Sequence, residues 1–201
     1  MDAVIFDIDG TLLHSVDADE ALFTRAIQTI IDDAVIRPAY GDYTHMSDAG
    51  IVAGVLEDNG FDATSEVGDQ IKAYFLELLN EHVETVGPFP QFPGAGDYLQ
   101  QYVDSSQHQV AIATGCWRDS ALLKLRSAGF GHIDVPVATS DDAMDRIGIM
   151  RRALAQMPGE FRSITYYGDG EWDQRATAEL GWNFVAVGPK LDGLSTYEGL
   201  R

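Results

Sequence analysis

The stretch VIFDIDGTLL, residues 4–13, sets two aspartates, Asp7 and Asp9, behind three apolar residues. Val4, Ile5 and Phe6 read as a short buried strand, and Asp9-Gly10 is turn chemistry at its end. A turn accounts for Asp9-Gly10 but not for Asp7, a carboxylate still within the apolar run, where burial without a partner is costly. Two later apolar runs end in polar groups as well. QVAIATG, 109–115, stops at Thr114-Gly115, and SITYYGDG, 163–170, stops around Asp169, with Asp173 just beyond. In open parallel sheets, ligands bind outside the carboxyl ends of the strands. If these three strands are neighbours, Asp7, Thr114 and Asp169 meet at one edge, with Asp9 and Asp173 close by. Four carboxylates in one crevice repel and require a cation. An acidic, all-oxygen cluster suits Mg2+, which binds through one or two carboxylates together with waters and substrate phosphate.

Other chemistries for these stretches fail on spacing. A calcium loop needs Asp at positions 1, 3 and 5 and Gly at 6; DIDGTLLHSVDADE has Gly at position 4 and Leu at 6. The phosphate-cradling pattern G-x-x-x-x-G-K-[ST] is absent, and YGDGEWD lacks the third glycine of a dinucleotide fingerprint in the right register.

The elements that must position these groups follow from periodicity. Residues 17–33 carry apolar side chains at 21, 22, 26, 27, 30 and 31, which is helical spacing, with acids in the first turn. A second helix is expected over 47–58, opened by a Ser or Asp cap and closed by Asn59-Gly60, and a third over 65–84. Pro88, Pro90 and Pro93 then make a stiff linker and the clearest boundary in the chain. Beyond it, helices expected at 94–105, 118–130, 146–157 and 171–181 alternate with apolar runs at 109–115, 135–140, 163–170 and 183–188. Alternation of this kind implies a parallel sheet covered on both faces. Residues 14–90 read as helix without a convincing strand. The expected architecture is therefore α/β: a Rossmann-like parallel-sheet core of residues 1–13 and 91–201, with an all-helical cap of residues 14–90 inserted after the first strand.

Composition bounds the partners. The chain has 201 residues, 45% of them hydrophobic, which is enough for a core and too much for disorder. A net charge of −19 argues against nucleic acid or an anionic membrane as partner. It also requires local cations wherever an anion is bound, and lysine occurs only at 72, 124 and 190. The single cysteine, Cys116, excludes an internal disulfide and a cysteine-rich zinc site. No apolar run approaches a membrane span, and residues 1–10 carry acids where a secretory signal carries bases. A cytoplasmic protein is the expectation.

Taken together, DIDGT at 7–11, IATG at 112–115 and YYGDGEWD at 166–173 resemble, in order, the motifs of the haloacid dehalogenase-like hydrolases. The helical insert lies where many phosphatases of that family carry a cap. The segment YGDGEWDQRATAELGWNFVAVG is similar to the closing strand-helix-strand of phosphoglycolate-phosphatase-like members. The resemblance implies a Mg2+-dependent phosphoric monoester hydrolase acting on a small phosphorylated metabolite. A phosphosugar or a phosphocarboxylate such as phosphoglycolate fits that class. It implies Asp7 as the nucleophile that forms an aspartyl phosphate, and Asp9 as the group that protonates the leaving alcohol and then activates water. It implies Thr114 and Gly115 as holders of a phosphate oxygen. Asp7, the Asp9 backbone carbonyl, Asp169 and Asp173 are implied as metal ligands.

The chain departs from that pattern at one point. The family expects a lysine ahead of the helix that precedes the last acidic motif. Arg146 takes that place, and an arginine fork suits phosphate. A solvated Arg146 would leave the role to Arg118 or Lys124. Asp9 favours an alkoxide leaving group over a halide, hence a phosphate ester over a haloacid. A phosphomutase sharing the intermediate, and a non-catalytic phosphate-binding protein, are the alternatives. In the insert, YGDYTHMSD, 40–48, reads as a loop able to touch the leaving group, with His45 the residue singled out. Cys116 and Trp117 are expected either to line the crevice or to pack in the core. No oligomeric state is implied.

Overall fold

The computed structural model describes residues 1–62 and 65–200. Five parallel strands form one sheet: β1 (Asp2–Phe6), β2 (His108–Ala113), β3 (Val137–Ala138), β4 (Ile164–Gly168) and β5 (Asn183–Ala186), in the order β3-β2-β1-β4-β5. All four pairings are parallel, and Phe6 is level with Ile112 on one side and with Tyr167 on the other. The chain runs outward from β1 in both directions, so the topological switch point is at β1 itself. Asp7 follows directly at its carboxyl end.

The strand residues sort by pleat. Val4 and Phe6 join one buried cluster with Val110 and Ile112, and Ala3 and Ile5 join the other with Ala111 and Ala113. The first face is covered by α4 (Ala95–Val103) and α5 (Arg118–Ser127), through Tyr98, Leu99, Ala121 and Leu125. The second is covered by α6 (Arg146–Gln156) and α7 (Glu171–Leu180), through Ile149, Met150, Ala153 and Ala176. This is the doubly covered α/β architecture expected from the alternating pattern. The expected element positions agree with the observed ones to within a few residues. The only expected strand to shrink markedly is 135–140, which pairs over Val137–Ala138 alone.

Between β1 and α4 lie three α-helices and, among the described residues, no strand of the sheet: α1 (Val16–Ile30), α2 (Asp48–Asp58) and α3 (Glu66–Thr85). Phe23, Ile27, Val55, Ile71, Phe75 and Leu79 turn inward and are buried. Ser47 caps α2 by accepting from the Gly50 N–H at 3.2 Å. The chain crosses into and out of this segment at one place. Leu13 and Gln91 form an antiparallel bridge, flanked by His14 N–H donating to Pro90 O at 2.8 Å and Phe92 N–H to Leu12 O at 2.9 Å.

Trp117, just before α5, joins the two parts. Its ring centroid is 5.7 Å from Phe23 and 6.0 Å from Phe75, and it is 5% exposed. The core-packing alternative for this residue therefore holds, and Cys116 is the one that faces the crevice. Truncation of a buried tryptophan removes a large apolar contact. Trp117→Ala is expected to cost about 3–5 kcal/mol of stability, read from urea denaturation. A cost below roughly 1 kcal/mol would show that the helices are not anchored through this ring.

Candidate active site

The carboxyl ends of β1, β2 and β4 open into a cavity of about 100 Å³. Asp7, Asp9, Thr114, Gly115, Cys116, Arg146, Asp169, Trp172 and Lys190 line it from the sheet side. Asp7 is buried, with Oδ1 accepting from the Ile8 N–H at 2.7 Å. Gly10 is needed at the turn that follows. Its φ is +73°, and a Cβ there would meet Asp169 Oδ2 at 2.3 Å, so only glycine lets the first and third acidic segments approach.

Arg146 is the first residue of α6, whose N-cap Asp145 accepts from the Gly148 N–H at 2.8 Å. Its side chain is 9% exposed, so it is no solvated helix-start residue. Its Nη1 lies 3.5 Å from Asp7 Oδ2 and its Nε 3.0 Å from Asp173 Oδ1. Neither nitrogen has hydrogen-bond geometry to a partner among the described residues. A buried guanidinium with donors to spare is suited to an oxyanion arriving beside Asp7.

Ligand oxygens of Asp7, Asp169 and Asp173 lie within 4.8 Å of one another. All three residues are buried. Burial raises the Asp7 carboxyl to about 6; Arg146 opposes that, and the Asp169 and Asp9 charges add to it. Burial likewise pushes Asp173 up against the pull of Arg146. Carboxylates that resist ionisation where they stand are a good fit to a hard divalent cation. Asp9 is outside this cluster by its side chain, which leaves only its backbone carbonyl for such an ion.

The Asp9 carboxylate is held elsewhere. Lys124 Nζ reaches both of its oxygens at 2.9 Å, and Ser15 Oγ and Cys116 Sγ also donate to it. Lys124 is wholly buried and pairs in addition with Asp19. Burial alone would raise Asp9, but Lys124, Cys116 and Ser15 together hold it below the usual carboxylate value. Sequence reasoning considered Lys124 only as a substitute for the missing lysine beside Asp7; it stands on Asp9 instead. Asp19 was read only as an acid complementing the α1 dipole. Lys190 was also missed. Its Nζ bonds to Asp169 Oδ2 at 2.9 Å and lies 5.4 Å from the Trp172 ring. Its place just past β5, at a strand end, was the signal available.

Two expected residues are not brought to the cavity. Arg118 pairs with Asp142 at 2.6 Å, its N–H donates to Asp141, and it is 39% exposed. It starts α5 with its side chain directed to the 141–142 turn, so it does not curl over the Asp7 end. His45 faces shallow outer clefts, because its own Cβ and carbonyl pack against Gly50 at the start of α2. From the same loop, Tyr40, Met46, Ser47 and Asp48 line the cavity instead. The loop is fastened to the sheet edge: Asp48 N–H donates to Gly115 O at 2.8 Å and Ser47 Oγ to Met144 O at 2.6 Å. His14 is exposed and stacks on Phe92, with ring centroids 3.8 Å apart.

The sequence model of the haloacid dehalogenase-like hydrolases matches residues 1–181. The chain belongs to that family. None of the curated proteins compared with this haloacid dehalogenase-like hydrolase matches it. Solved structures share its fold at low identity. A hydrolase from Pseudomonas syringae superimposes with a TM-score of 0.73 at 19% identity, covering 92% of this chain and 84% of that one. CbbY from Rhodobacter sphaeroides, in complex with phosphate, gives 0.70 at 21% identity, over 98% and 89%. A β-phosphoglucomutase from Clostridium difficile gives 0.73 at 14% identity, over 96% and 86%.

Asp48 provides a test of the site's electrostatics. It is 9% exposed, and its Oδ2 accepts from the Trp117 N–H at 2.9 Å. Burial and the Asp19 charge raise its carboxyl from 3.8 to about 8. A carboxyl raised in the fold holds a proton that the unfolded chain has released, so stability falls as pH rises from about 4 towards 8. Asp48→Asn keeps the acceptor and removes the titration. Its stability is expected to fall less steeply between pH 5 and pH 8 than that of the wild type, by up to about 1.4 kcal/mol per pH unit. Urea melts at the two pH values measure this, and parallel slopes in the two proteins would refute it.

Proposed function

We propose that this hydrolase is a Mg2+-dependent phosphatase that cleaves a small phosphomonoester through an aspartyl phosphate on Asp7. The observation that carries the reading is the shared cavity of Asp7, Asp9 and Arg146 at the switch point of the sheet. It joins a nucleophile, a proton-transfer group and a buried cation with unused donors. In the first step an Asp7 oxygen bonds to phosphorus and the bond from phosphorus to the alcohol oxygen breaks. Asp9 gives its proton to that oxygen. In the second step Asp9 takes a proton from water, the water oxygen bonds to phosphorus, and the Asp7–phosphorus bond breaks. Inorganic phosphate leaves and Asp7 is restored.

Asp9 as found is in the form that the second step needs, since Lys124 favours its ionised state. Arrival of an anionic phosphoryl group works the other way and raises its proton affinity, which prepares the first step. Arg146, Thr114 and Gly115 would hold the phosphoryl oxygens. Asp7, Asp169, Asp173 and the Asp9 carbonyl would hold Mg2+, which supplies charge neutralisation between an anionic nucleophile and an anionic substrate. The helices of residues 14–90 would act as the cap that shields this chemistry from water. A phosphomutase shares the first step and is the second reading, suggested by the fold likeness to β-phosphoglucomutase.

With a panel of phosphomonoesters, phosphate release is expected to require Mg2+ and to stop on chelation. Asp7→Asn should bring it below detection, while Asp9→Asn should still transfer the phosphoryl group from very good leaving groups. Full activity after exhaustive chelation, or wild-type turnover in Asp7→Asn, would reject the mechanism.

The arginine is separable from the rest. Arg146→Ala is expected to lower kcat/KM by roughly 100-fold or more, and Arg146→Lys to recover part of the loss. Arg118→Ala should stay near wild type. The reverse pattern, measured with the best substrate of the panel, would move the phosphate-binding role to Arg118.

A further inference from the structure

The cavity has a second wall, contributed by α1, the loop before α2 and α2 itself. Its surface is largely apolar: Val16 and Phe23 of α1, Tyr40 and Met46 of the loop, and Ile51 of α2 line it. The polar groups on this wall are turned to partners within the protein. Ser47 Oγ donates to Met144 O at 2.6 Å and accepts from the Gly50 N–H at 3.2 Å. The Tyr40 hydroxyl is hydrogen-bonded to Thr24 Oγ1, Asp19 pairs with Lys124, and Asp48 Oδ2 accepts from the Trp117 N–H at 2.9 Å. Burial and the Asp19 charge raise the Asp48 carboxyl to about 8, so it brings no net charge to the wall at pH 7. Glu20 is exposed. The cations on the sheet side are committed as well: Lys190 bonds to Asp169, and Arg146 stands between Asp7 and Asp173.

We infer that this wall is the subsite for an apolar, uncharged leaving alcohol, so that the substrate is the phosphomonoester of such an alcohol rather than of a polyol, a sugar or a hydroxy acid. This deepens the phosphatase reading and rests on it. With the phosphoryl group beside Asp7 and Arg146, the carbons of the alcohol lie against Val16, Phe23, Met46 and Ile51 and are removed from water. A polyol brings hydroxyls that water had served. Asp48 has one further oxygen to offer a hydroxyl; the rest lose water without gaining a partner. A carboxylate on the alcohol meets no uncommitted base on this wall among the described residues, and Glu20 repels it. Hydrolysis then yields inorganic phosphate and an apolar alcohol.

Three esters of similar size isolate the chemistry of the alcohol: isobutyl phosphate, 2,3-dihydroxypropyl phosphate and phosphoglycolate. The hydroxyls of the diol withdraw electrons and make it the better leaving group, so a preference for the isobutyl ester reports binding of the alcohol. With Mg2+ present, kcat/KM is expected to be at least about tenfold higher for isobutyl phosphate than for either of the others. Val16→Thr exchanges one methyl for a hydroxyl at a partly buried position and should lower the ratio of isobutyl to dihydroxypropyl ester by about threefold. Ile51→Thr reads the same ratio from α2, and Val16→Thr decides alone should Ile51→Thr fail to fold. Equal or better turnover of the diol ester or phosphoglycolate, an unchanged ratio in Val16→Thr, or hydrolysis of other phosphomonoesters while isobutyl phosphate stays intact overturns the inference. If no phosphomonoester at all releases phosphate, the phosphatase reading has failed separately. Calorimetry of the three esters with Mg2+ then decides the subsite: tightest binding of isobutyl phosphate supports it, and any other order, or no binding, overturns it.

Discussion

The guanidinium of Arg146 is the interaction on which the sheet-end geometry depends. Asp7 and Asp173 are both buried; the charges of Asp7 and Asp169 bear on Asp173, and those of Asp169 and Asp9 bear on Asp7. Without a cation fixed between them, the first strand end and the first turn of α7 would repel. Arg146 reaches both from the first turn of α6 and so joins three elements in one contact. Removing one partner of a buried ion pair leaves the other uncompensated, a loss on the order of 3–5 kcal/mol. An arginine stays charged through such burial more reliably than a lysine does. The same logic recurs on the other side of β1, where Lys124 links Asp9 to Asp19 and thereby α5 to α1. Two buried cations thus define where the Asp7 and Asp9 carboxylates stand relative to one another.

Much of this was legible in the sequence. Strand-helix alternation after the proline linker gives the parallel sheet, because each apolar run is too short for anything but a buried strand. Asp7, Thr114 and Asp169 were readable because polar groups at the ends of apolar runs have few structural explanations. The pairings of charged groups were not readable. Lys124 sits in a helix whose pattern says only that one face is apolar, and nothing local shows that an ammonium enters the core. Asp19 and Asp48 occupy first-turn positions of helices, where acids are common for reasons of dipole alone. Their distinction, which is burial against a shared cavity, is tertiary. Arg118 and His45 illustrate the converse. Both are near the motifs in sequence, and both are turned aside by local contacts, with Asp142 and with the close approach of Gly50.

Charge also constrains how the site is reached. The chain carries −19, yet among the described residues the cations lining the cavity are Arg146 and Lys190, with Lys124 buried on Asp9. Long-range attraction of any anion is therefore weak, and an anion at this edge would depend on short-range contacts with these side chains. The loop before α2 is held to the sheet edge by backbone contacts at Gly115 and Met144. Each such hydrogen bond contributes about 0.5–1.5 kcal/mol net.

The bridge between Leu13 and Gln91 has a consequence for how such a chain can change over generations. Because the segment that leaves β1 and the segment that leads into α4 touch, the intervening chain closes on itself with ends already together. Lengthening such a loop costs little, since the closure entropy grows only with the logarithm of its length. The register of β1 against β2 and β4 is set within the sheet, at residues 2–6, ahead of the bridge. Insertions, deletions or wholesale replacement between these two points therefore leave the spacing of Asp7, Thr114 and Asp169 untouched. The sheet edge that carries these polar groups and the helical surface facing it are free to diversify at different rates.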